Sequence, residues 1–158
     1  GIESGDDRVL AMNKKEATVE QARSAVAASK RAGLKVWTYF MLGMYGDSPE
    51  SMGRTIRLAK ELSGDICNFS IAAPYPGTEW GRIAETNHWL ADVRWESYDQ
   101  NDSAIVDQPT CDHATVLKFQ RKAYLAWYGS WRGLKFLLQA WRPQYARFFY
   151  QVIKAHLT

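Results

Sequence analysis

The sequence predicts an α/β protein in which helices connect parallel strands, followed by a helical segment. Two observations predict this fold class. An apolar stretch, residues 35–42, lies between two capped helices, and the caps at Thr18 and Ser48 stand 30 residues apart. A strand-helix repeat of this length joins parallel strands through right-handed crossovers.

Both of these helices carry clear start signals. Thr18 and Gln21 form a capping box ahead of apolar residues at helical spacing. Ser48 is the predicted N-cap of the second helix, and Pro49 occupies its first position, where a missing N–H costs nothing. Residues 35–42 between the two helices therefore form a buried strand.

The repeat extends in both directions along the chain. Residues 66–73 are predicted to form a further strand, and Thr78 caps a helix expected over residues 79–90. Residues 1–5 have the pattern of the end of an earlier strand, which leads into a short helical segment at residues 8–12. Three parallel strands are therefore expected.

The rest of the chain loses this repeat. Apolar positions recur at three and four residues over 113–141, which predicts a long helix that bends at Gly129 or Gly133, and Pro143 starts a last helix. The predicted organisation is a strand-helix domain, an irregular connector and a basic, aromatic-rich helical tail, at residues 1–90, 91–112 and 113–158.

The composition is that of a globular protein with an asymmetric charge. Of the 158 residues, 46% are hydrophobic, yet no apolar run is long enough to predict a membrane-spanning helix. Residues 1–112 carry a net charge of −5, whereas residues 113–158 carry eight Lys and Arg and no Asp or Glu. Two regions with different partners are therefore expected.

Cysteines and histidines predict no metal site. Cys67 and Cys111 are too few for a disulfide framework or a metal cluster, and they favour a reducing, cytoplasmic setting. Cys67 is expected to be a buried structural thiol, and the carboxylate of Asp112 would raise rather than lower the pKa of Cys111. The three histidines are scattered singly, at His88, His113 and His156.

Three motifs, in their order and spacing, resemble the later half of the radical S-adenosylmethionine core. They are Gly1-Ile2-Glu3-Ser4-Gly5 with Arg8-Val9-Leu10, Tyr39-Phe40-Met41-Leu42-Gly43-x-x-Gly46, and Pro74-Tyr75-Pro76-Gly77-Thr78-Glu79. The cobalamin-binding branch that includes anaerobic magnesium-protoporphyrin monomethyl ester cyclase is the most similar. Trp95-Glu96-x-Tyr98-Asp99 and the basic tail also fit that branch. Tyr45 and Asp47 depart from it, since Pro and Glu are usual there.

The resemblance implies a partial (β/α)6 barrel, of which this chain supplies the C-terminal half, strands four to six. It implies S-adenosylmethionine and a [4Fe-4S] cluster as cofactors of a longer protein, and it leaves the use of cobalamin open. The cluster-binding Cys-x-x-x-Cys-x-x-Cys of the family does not occur in this sequence. The chain is therefore expected to be a fragment that is inactive alone. With an N-terminal half, the whole protein would modify a small-molecule substrate through a 5′-deoxyadenosyl radical or through methylcobalamin.

The same resemblance assigns cofactor-binding positions but no catalytic or metal-binding residue. Glu3 and Ser4 match the position that contacts the ribose or methionine part of the nucleoside, and Lys14 matches a basic residue near the methionine carboxylate. Tyr39 and Gly43 match the motif of the fifth strand. Ala72, Ala73 and Tyr75 match the exit of the sixth strand, where backbone groups commonly contact adenine.

The residues alone leave simpler explanations open. Gly43 and Gly46 are also explained by a tight turn, and the sequence has neither of the glycine-rich phosphate-binding patterns. Glu3 with Ser4 fits a solvated strand end equally well, and Lys14 fits an ordinary surface charge.

The basic tail, residues 113–158, has three interpretations. It covers the barrel with a charged outer face, it binds an anionic membrane surface through Trp and Tyr at the interface, or it binds nucleic acid, which its wide apolar face makes unlikely. The main alternative to an enzyme is therefore a non-catalytic half-barrel, a remnant or a subunit, whose tail binds a membrane or a protein partner. The predicted location is cytoplasmic, with peripheral membrane attachment as an option.

Overall fold

The computed structural model describes residues 1–91, 94–101 and 103–140. Within them, six α-helices, two strands and one 3-10 helix alternate along the chain. In order they are α1 Asp7–Met12, α2 Val19–Arg31, β1 Trp37–Leu42, α3 Pro49–Leu62, β2 Ile66–Ile71, α4 Glu79–Thr86, the 3-10 helix Trp95–Ser97, α5 His113–Tyr128 and α6 Trp131–Ala140.

The two strands form a parallel pair with α3 as the connection between them. The register runs from Trp37 opposite Ile66 to Leu42 opposite Ile71. On the other side of β1, Glu3 forms a parallel bridge with Phe40. The prediction of an α/β fold with parallel strands is therefore confirmed.

Both strands are shorter than predicted, for local reasons. The N–H of Val36 donates to the Asp65 carboxylate at 2.8 Å and therefore does not enter the strand ladder. As a result β1 begins at Trp37. Beyond Ile71, the N–H of Tyr75 turns back to the carbonyl of Ala73 at 3.0 Å, which ends the extended backbone before the exit motif.

The predicted helix starts are confirmed by their caps. Thr18 and Ser48 each form a capping box, and Thr78 accepts the N–H of Gly81 at 3.0 Å. The helix expected over 79–90 is shorter and ends at Thr86. His88 takes a left-handed backbone with φ 57°, which turns the chain out of the helix.

The long helix expected over 113–141 is two helices in the structure. α5 ends at Tyr128, and the Ser130 hydroxyl accepts the N–H of Gly133 at 3.3 Å at the start of α6. Gly129 therefore marks a break and not a bend. The last predicted helix, from Pro143, lies outside the described residues, among which no helix is long and apolar enough to cross a membrane.

One face of the sheet is buried under helices and the other is open. The buried face packs against α3 and α5, with six side chains facing the helices: Thr38, Phe40, Leu42, Cys67, Phe69 and Ile71. On the opposite face Trp37 is 57% exposed and Tyr39 40% exposed. Parallel sheets are normally covered on both faces, so the described residues leave one face without its usual cover.

α5 also covers the outer edge of β2. The side-chain amide of Gln120 donates to the Phe69 carbonyl at 2.9 Å, and the Tyr124 hydroxyl lies 3.3 Å from both the carbonyl and the N–H of Phe69. These bonds occupy backbone groups that a further strand would otherwise use. Covering an edge in this way prevents pairing with other chains.

Candidate functional site at the carboxyl ends of the strands

The three predicted strand exits lie side by side at one end of the sheet. The N–H of Met41 donates to the Glu3 carbonyl at 2.8 Å, and the N–H of Ala72 donates to the Leu42 carbonyl at 2.9 Å. Glu3 is level with Phe40 in the ladder. In parallel α/β proteins, ligands bind beyond this end of the strands.

Glu3 lies in a strained turn of the backbone. Its φ is 68°, and the N–H of Ser4 donates to the carbonyl of Ile2 at 3.0 Å, which closes a three-residue turn. The positive-φ form of this turn is rare for a residue with a side chain, and strain of this kind concentrates at functional sites. The Glu3 carboxylate lies 3.1 Å from the ammonium group of Lys15.

Ser4 is turned into the protein. It is fully buried, and its hydroxyl lies 3.4 Å from the Thr55 hydroxyl of α3. The same hydroxyl accepts the N–H of Asp6 at 3.2 Å. In the described structure Ser4 therefore anchors the first strand exit to α3.

Gly43 and Gly46 shape the turn between β1 and α3. Both take left-handed backbones, with φ 75° and 78°. A Cβ on Gly43 would lie 3.0 Å from a methyl group of Val116 on α5, and a Cβ on Gly46 would lie 2.5 Å from the end of the Met12 side chain. The turn needs glycine both for its backbone and for the close approach of its neighbours.

The backbone of this turn is bound by the connector. The Gln108 side chain accepts the N–H of Gly46 and donates to the carbonyl of Met44, both at 2.9 Å. The Thr110 hydroxyl donates to the carbonyl of Asp47. These bonds come from a segment more than 60 residues further along the chain and stabilise the turn. They also occupy backbone groups of the turn that could otherwise bind an anion.

Asp47 closes the turn from inside. Its carboxylate is fully buried, accepts the N–H of Gly43 at 3.0 Å and accepts the hydroxyl of Ser51. Burial raises the pKa of Asp47 to about 6, although the hydrogen bonds from Ser51 and Gly43 act in the opposite direction. This buried carboxyl group therefore joins the end of β1 to the start of α3.

The third strand exit is packed against aromatic rings. The Tyr75 hydroxyl donates to the carbonyl of Tyr98 at 3.1 Å, and the two rings stack with centroids 5.9 Å apart. Trp95 stacks on Tyr98 at 5.7 Å and is 70% exposed. Ala72 is buried, whereas Ala73 is half-buried, so the exit presents backbone beside an aromatic stack.

Lys14 and Tyr39 are more exposed than the other predicted site residues. Lys14 forms an ion pair with Glu79 at the start of α4, which lowers the pKa of that carboxylate. Tyr39 stacks on Trp37, with centroids 5.3 Å apart, on the open face of the sheet. Neither side chain is locked by burial, so both are accessible to a ligand.

The chain is similar to known proteins over part of their length. No family model matches the chain. An uncharacterized methyltransferase of Pyrococcus horikoshii is 34% identical over 131 residues, which is 81% of this chain and 28% of that protein. The anaerobic magnesium-protoporphyrin IX monomethyl ester cyclase of Rubrivivax gelatinosus is 28% identical over 76 residues, 48% of this chain and 14% of the cyclase.

A third relative is the tRNA-2-methylthio-N(6)-dimethylallyladenosine synthase of Aromatoleum aromaticum. It is 28% identical over 111 residues, 66% of this chain and 25% of the synthase. These similarities support the predicted radical S-adenosylmethionine relationship. The chain therefore spans at most 28% of the length of each of these three relatives.

The cysteines of this chain do not fit an iron-sulfur cluster. Cys67 and Cys111 are both buried, and burial raises the pKa of each thiol to about 12. A cluster that leaves one iron free needs three thiolates, and the sequence supplies only these two cysteines. Within the described ranges, moreover, no three His, Cys, Asp or Glu side chains lie where they could hold a metal ion together.

Several residues of this site were missed by sequence reasoning. Gln108 and Thr110 lie in the irregular connector, where no periodicity marks them, and their partners are distant in sequence. Trp95 and Tyr98 were noted only as a branch motif, yet they stack beside the third exit. The sequence marks Asp47 only as a departure from the family pattern, whereas the side chain is buried inside the turn.

Proposed function

We propose that this chain forms the later half of a radical S-adenosylmethionine barrel and that its strand ends hold the nucleoside of the cofactor. The observation that carries the proposal is the adjacency of the three exits, fixed by the Met41 to Glu3 and Ala72 to Leu42 hydrogen bonds. Residues that the sequence motifs placed in separate parts of the chain form one edge. The similarity to the cyclase and the synthase supports the same relationship.

The adenine base is proposed to lie along the third exit. Within the described part of the chain, the Ala73 N–H and the Ala72 carbonyl have no hydrogen-bond partner. These two groups belong to one trans peptide unit and point in opposite directions, so one of them, the donor or the acceptor, can face the edge of adenine. The exposed ring of Trp95 and the stacked ring of Tyr75 offer flat surfaces nearby.

The ribose and methionine parts are proposed to contact the first exit. The carboxylate of Glu3 can accept from two ribose hydroxyls, and a hydrogen bond to a charged acceptor is stronger than one between neutral groups. Lys15 holds that carboxylate at 3.1 Å. The ammonium group of Lys14 would exchange its exposed partner Glu79 for the methionine carboxylate.

The remaining predicted residues shape the pocket. Gly43 lets the turn lie close to α5 because it has no Cβ to meet Val116, and its N–H is already bound to Asp47. Tyr39 contributes an exposed aromatic ring on the open face. Bound S-adenosylmethionine would supply the radical or methyl-transfer chemistry, and the [4Fe-4S] cluster would come from another part of a longer protein. Whether cobalamin takes part depends on that other part.

The affinity of the longer protein for S-adenosylmethionine tests this proposal. Isothermal titration of the wild type and the Glu3→Gln variant should show affinity reduced roughly tenfold or more, since a charge-assisted hydrogen bond is lost. Glu16→Gln is the matched control, because Glu16 is an exposed carboxylate in the same region. Equal affinities of the wild type and Glu3→Gln would reject the ribose contact.

A further inference from the structure

The outer faces of α5 and α6 combine exposed apolar side chains with cations. On α5 one open groove is lined by Leu117, Lys118, Arg121, Lys122 and Leu125, and Leu125 is 60% exposed. On α6 Trp131 is 80% exposed and Leu138 75% exposed. Exposed apolar residues scattered singly are ordinary, but here four lie on two consecutive helices: Leu125, Trp131, Leu134 and Leu138.

Three cations of α5, Lys118, Arg121 and Lys122, form no ion pair among the described residues. Residues 113–158 contain no Asp or Glu. The nearest interaction of Lys122 is with the ring of Phe119, at 5.3 Å from its centroid. The positive charge of this face is therefore available to an external anion.

Charge decides between the candidate occupants. Residues 141–158 add Arg142, Arg147 and Lys154 without an acid, so this segment offers no negative charge to pair with the cations of the face. A second copy of the chain that docked through the same face would place like cations opposite each other. An anionic bilayer offers negative headgroups to the lysines and arginines and an apolar boundary to Trp131 and the leucines.

We propose that the exposed faces of α5 and α6 bind the surface of an anionic lipid bilayer. The helices lie along the headgroups and do not cross them, as is usual for amphipathic helices that combine basic residues with Trp and Leu. This proposal is independent of the nucleoside site, which lies at the strand exits.

Co-sedimentation of the full chain with lipid vesicles tests the proposal. Vesicles of equal phosphatidylglycerol and phosphatidylcholine should bind the chain, and vesicles of phosphatidylcholine alone should not. The triple variant Lys118→Gln, Arg121→Gln, Lys122→Gln should bind about a hundredfold more weakly, from about fivefold for each basic residue near the surface. The control Arg31→Gln, Arg57→Gln, Lys60→Gln removes the same charge from exposed positions on α2 and α3 and should bind nearly as wild type.

A second variant separates a bilayer from other polyanions. Trp131→Ser should weaken binding to the anionic vesicles several-fold but leave retention on a heparin column unchanged, because only the bilayer has an apolar boundary. The proposal is overturned if the wild type does not bind anionic vesicles, if the two triple variants bind alike, or if Trp131→Ser binds as wild type. In that last case the face is a site for an acidic protein or nucleic acid.

Discussion

The carboxylate of Asp47 lies 3.0 Å from the N–H of Gly43, inside the turn that joins β1 to α3. The contact ties the end of the strand to the start of the helix, where Ser51 donates to the same carboxylate. No cation neutralises Asp47 in an ion pair among the described residues. The turn is therefore held by hydrogen bonds to a buried carboxyl group whose ionisation no ion pair offsets, which makes its stability sensitive to pH.

We expect Asp47 to cost stability once it ionises. Its folded pKa, about 6, lies above the ordinary value of 3.8, so the folded state holds the proton more tightly than the unfolded state. The stabilising effect is complete below about pH 4 and is lost as the pH rises through 6. Relative to Asp47→Asn, the free energy of unfolding of the wild type should fall by roughly 2–3 kcal/mol between pH 4 and 7.

Urea denaturation at several pH values measures this difference. Asp65→Asn is a control of opposite sign, because hydrogen bonding from the Val36 N–H lowers the pKa of Asp65. The contribution of Asp65 is present above pH 4 and is lost as the pH falls through its folded pKa. A difference between wild type and Asp47→Asn that does not change from pH 4 to 7 would contradict the assignment.

Gly43→Ala should destabilise the protein by two separable effects. The left-handed backbone costs an alanine about 1 kcal/mol, and contact with Val116 at 3.0 Å adds roughly 1–2 kcal/mol of overpacking. Gly33→Ala is the matched control, since Gly33 has the same φ of 75° but open space around its missing Cβ. It should therefore cost about 1 kcal/mol only.

A double-mutant cycle with Val116→Ala identifies the contact. Removing the Val116 methyl groups should relieve the overpacking, so the double variant should be roughly 1 kcal/mol more stable than the sum of the single variants predicts. Thermal unfolding of the four proteins gives the coupling. Strict additivity would show that Val116 does not limit the side chain at position 43.

The Gln120 amide should be needed to keep β2 closed at its outer edge. It is buried and donates to the carbonyls of Phe69, at 2.9 Å, and Asn101, at 2.6 Å. Gln120→Leu would leave both carbonyls without this donor, at a cost of about 1–3 kcal/mol. The exposed edge should also promote self-association, visible as faster sedimentation in the ultracentrifuge.

A substitution on the opposite side of α5 provides the control for this effect. Lys118→Leu introduces a leucine at an exposed position of the helix. It should change the free energy of unfolding by less than about 0.5 kcal/mol. If Gln120→Leu unfolds like Lys118→Leu and stays monomeric, the Gln120 amide is not what closes the edge.

Features fixed by local chemistry were predictable from the sequence. The caps at Thr18, Ser48 and Thr78 mark the helix starts, because a side chain and the N–H groups two or three residues later decide them. The strand predicted over 35–42 is also close to the observed Trp37–Leu42, because an apolar run is a local signal. Its first residues differ because Asp65, 29 residues beyond Val36, competes for the Val36 N–H.

Contacts between distant segments were not predictable. Gln108 binds both sides of the β1 to α3 turn from a segment without periodicity, and no local signal announces such a pairing. The burial of Asp47 depends on the same connector. The burial of Ser4 depends on Thr55, 51 residues away, so a residue that reads as a strand end is an anchor to α3.

Formation of 5′-deoxyadenosine by the longer protein tests the central claim most directly. After anaerobic reconstitution with iron and sulfide and reduction with dithionite, wild type and Glu16→Gln should both cleave S-adenosylmethionine to this product. The Glu3→Gln variant, fully loaded with iron, should form 5′-deoxyadenosine at least roughly tenfold more slowly than the wild type when S-adenosylmethionine is limiting. The absence of 5′-deoxyadenosine from iron-loaded wild type, or an unchanged rate in Glu3→Gln, would contradict the assignment of these strand ends to the cofactor.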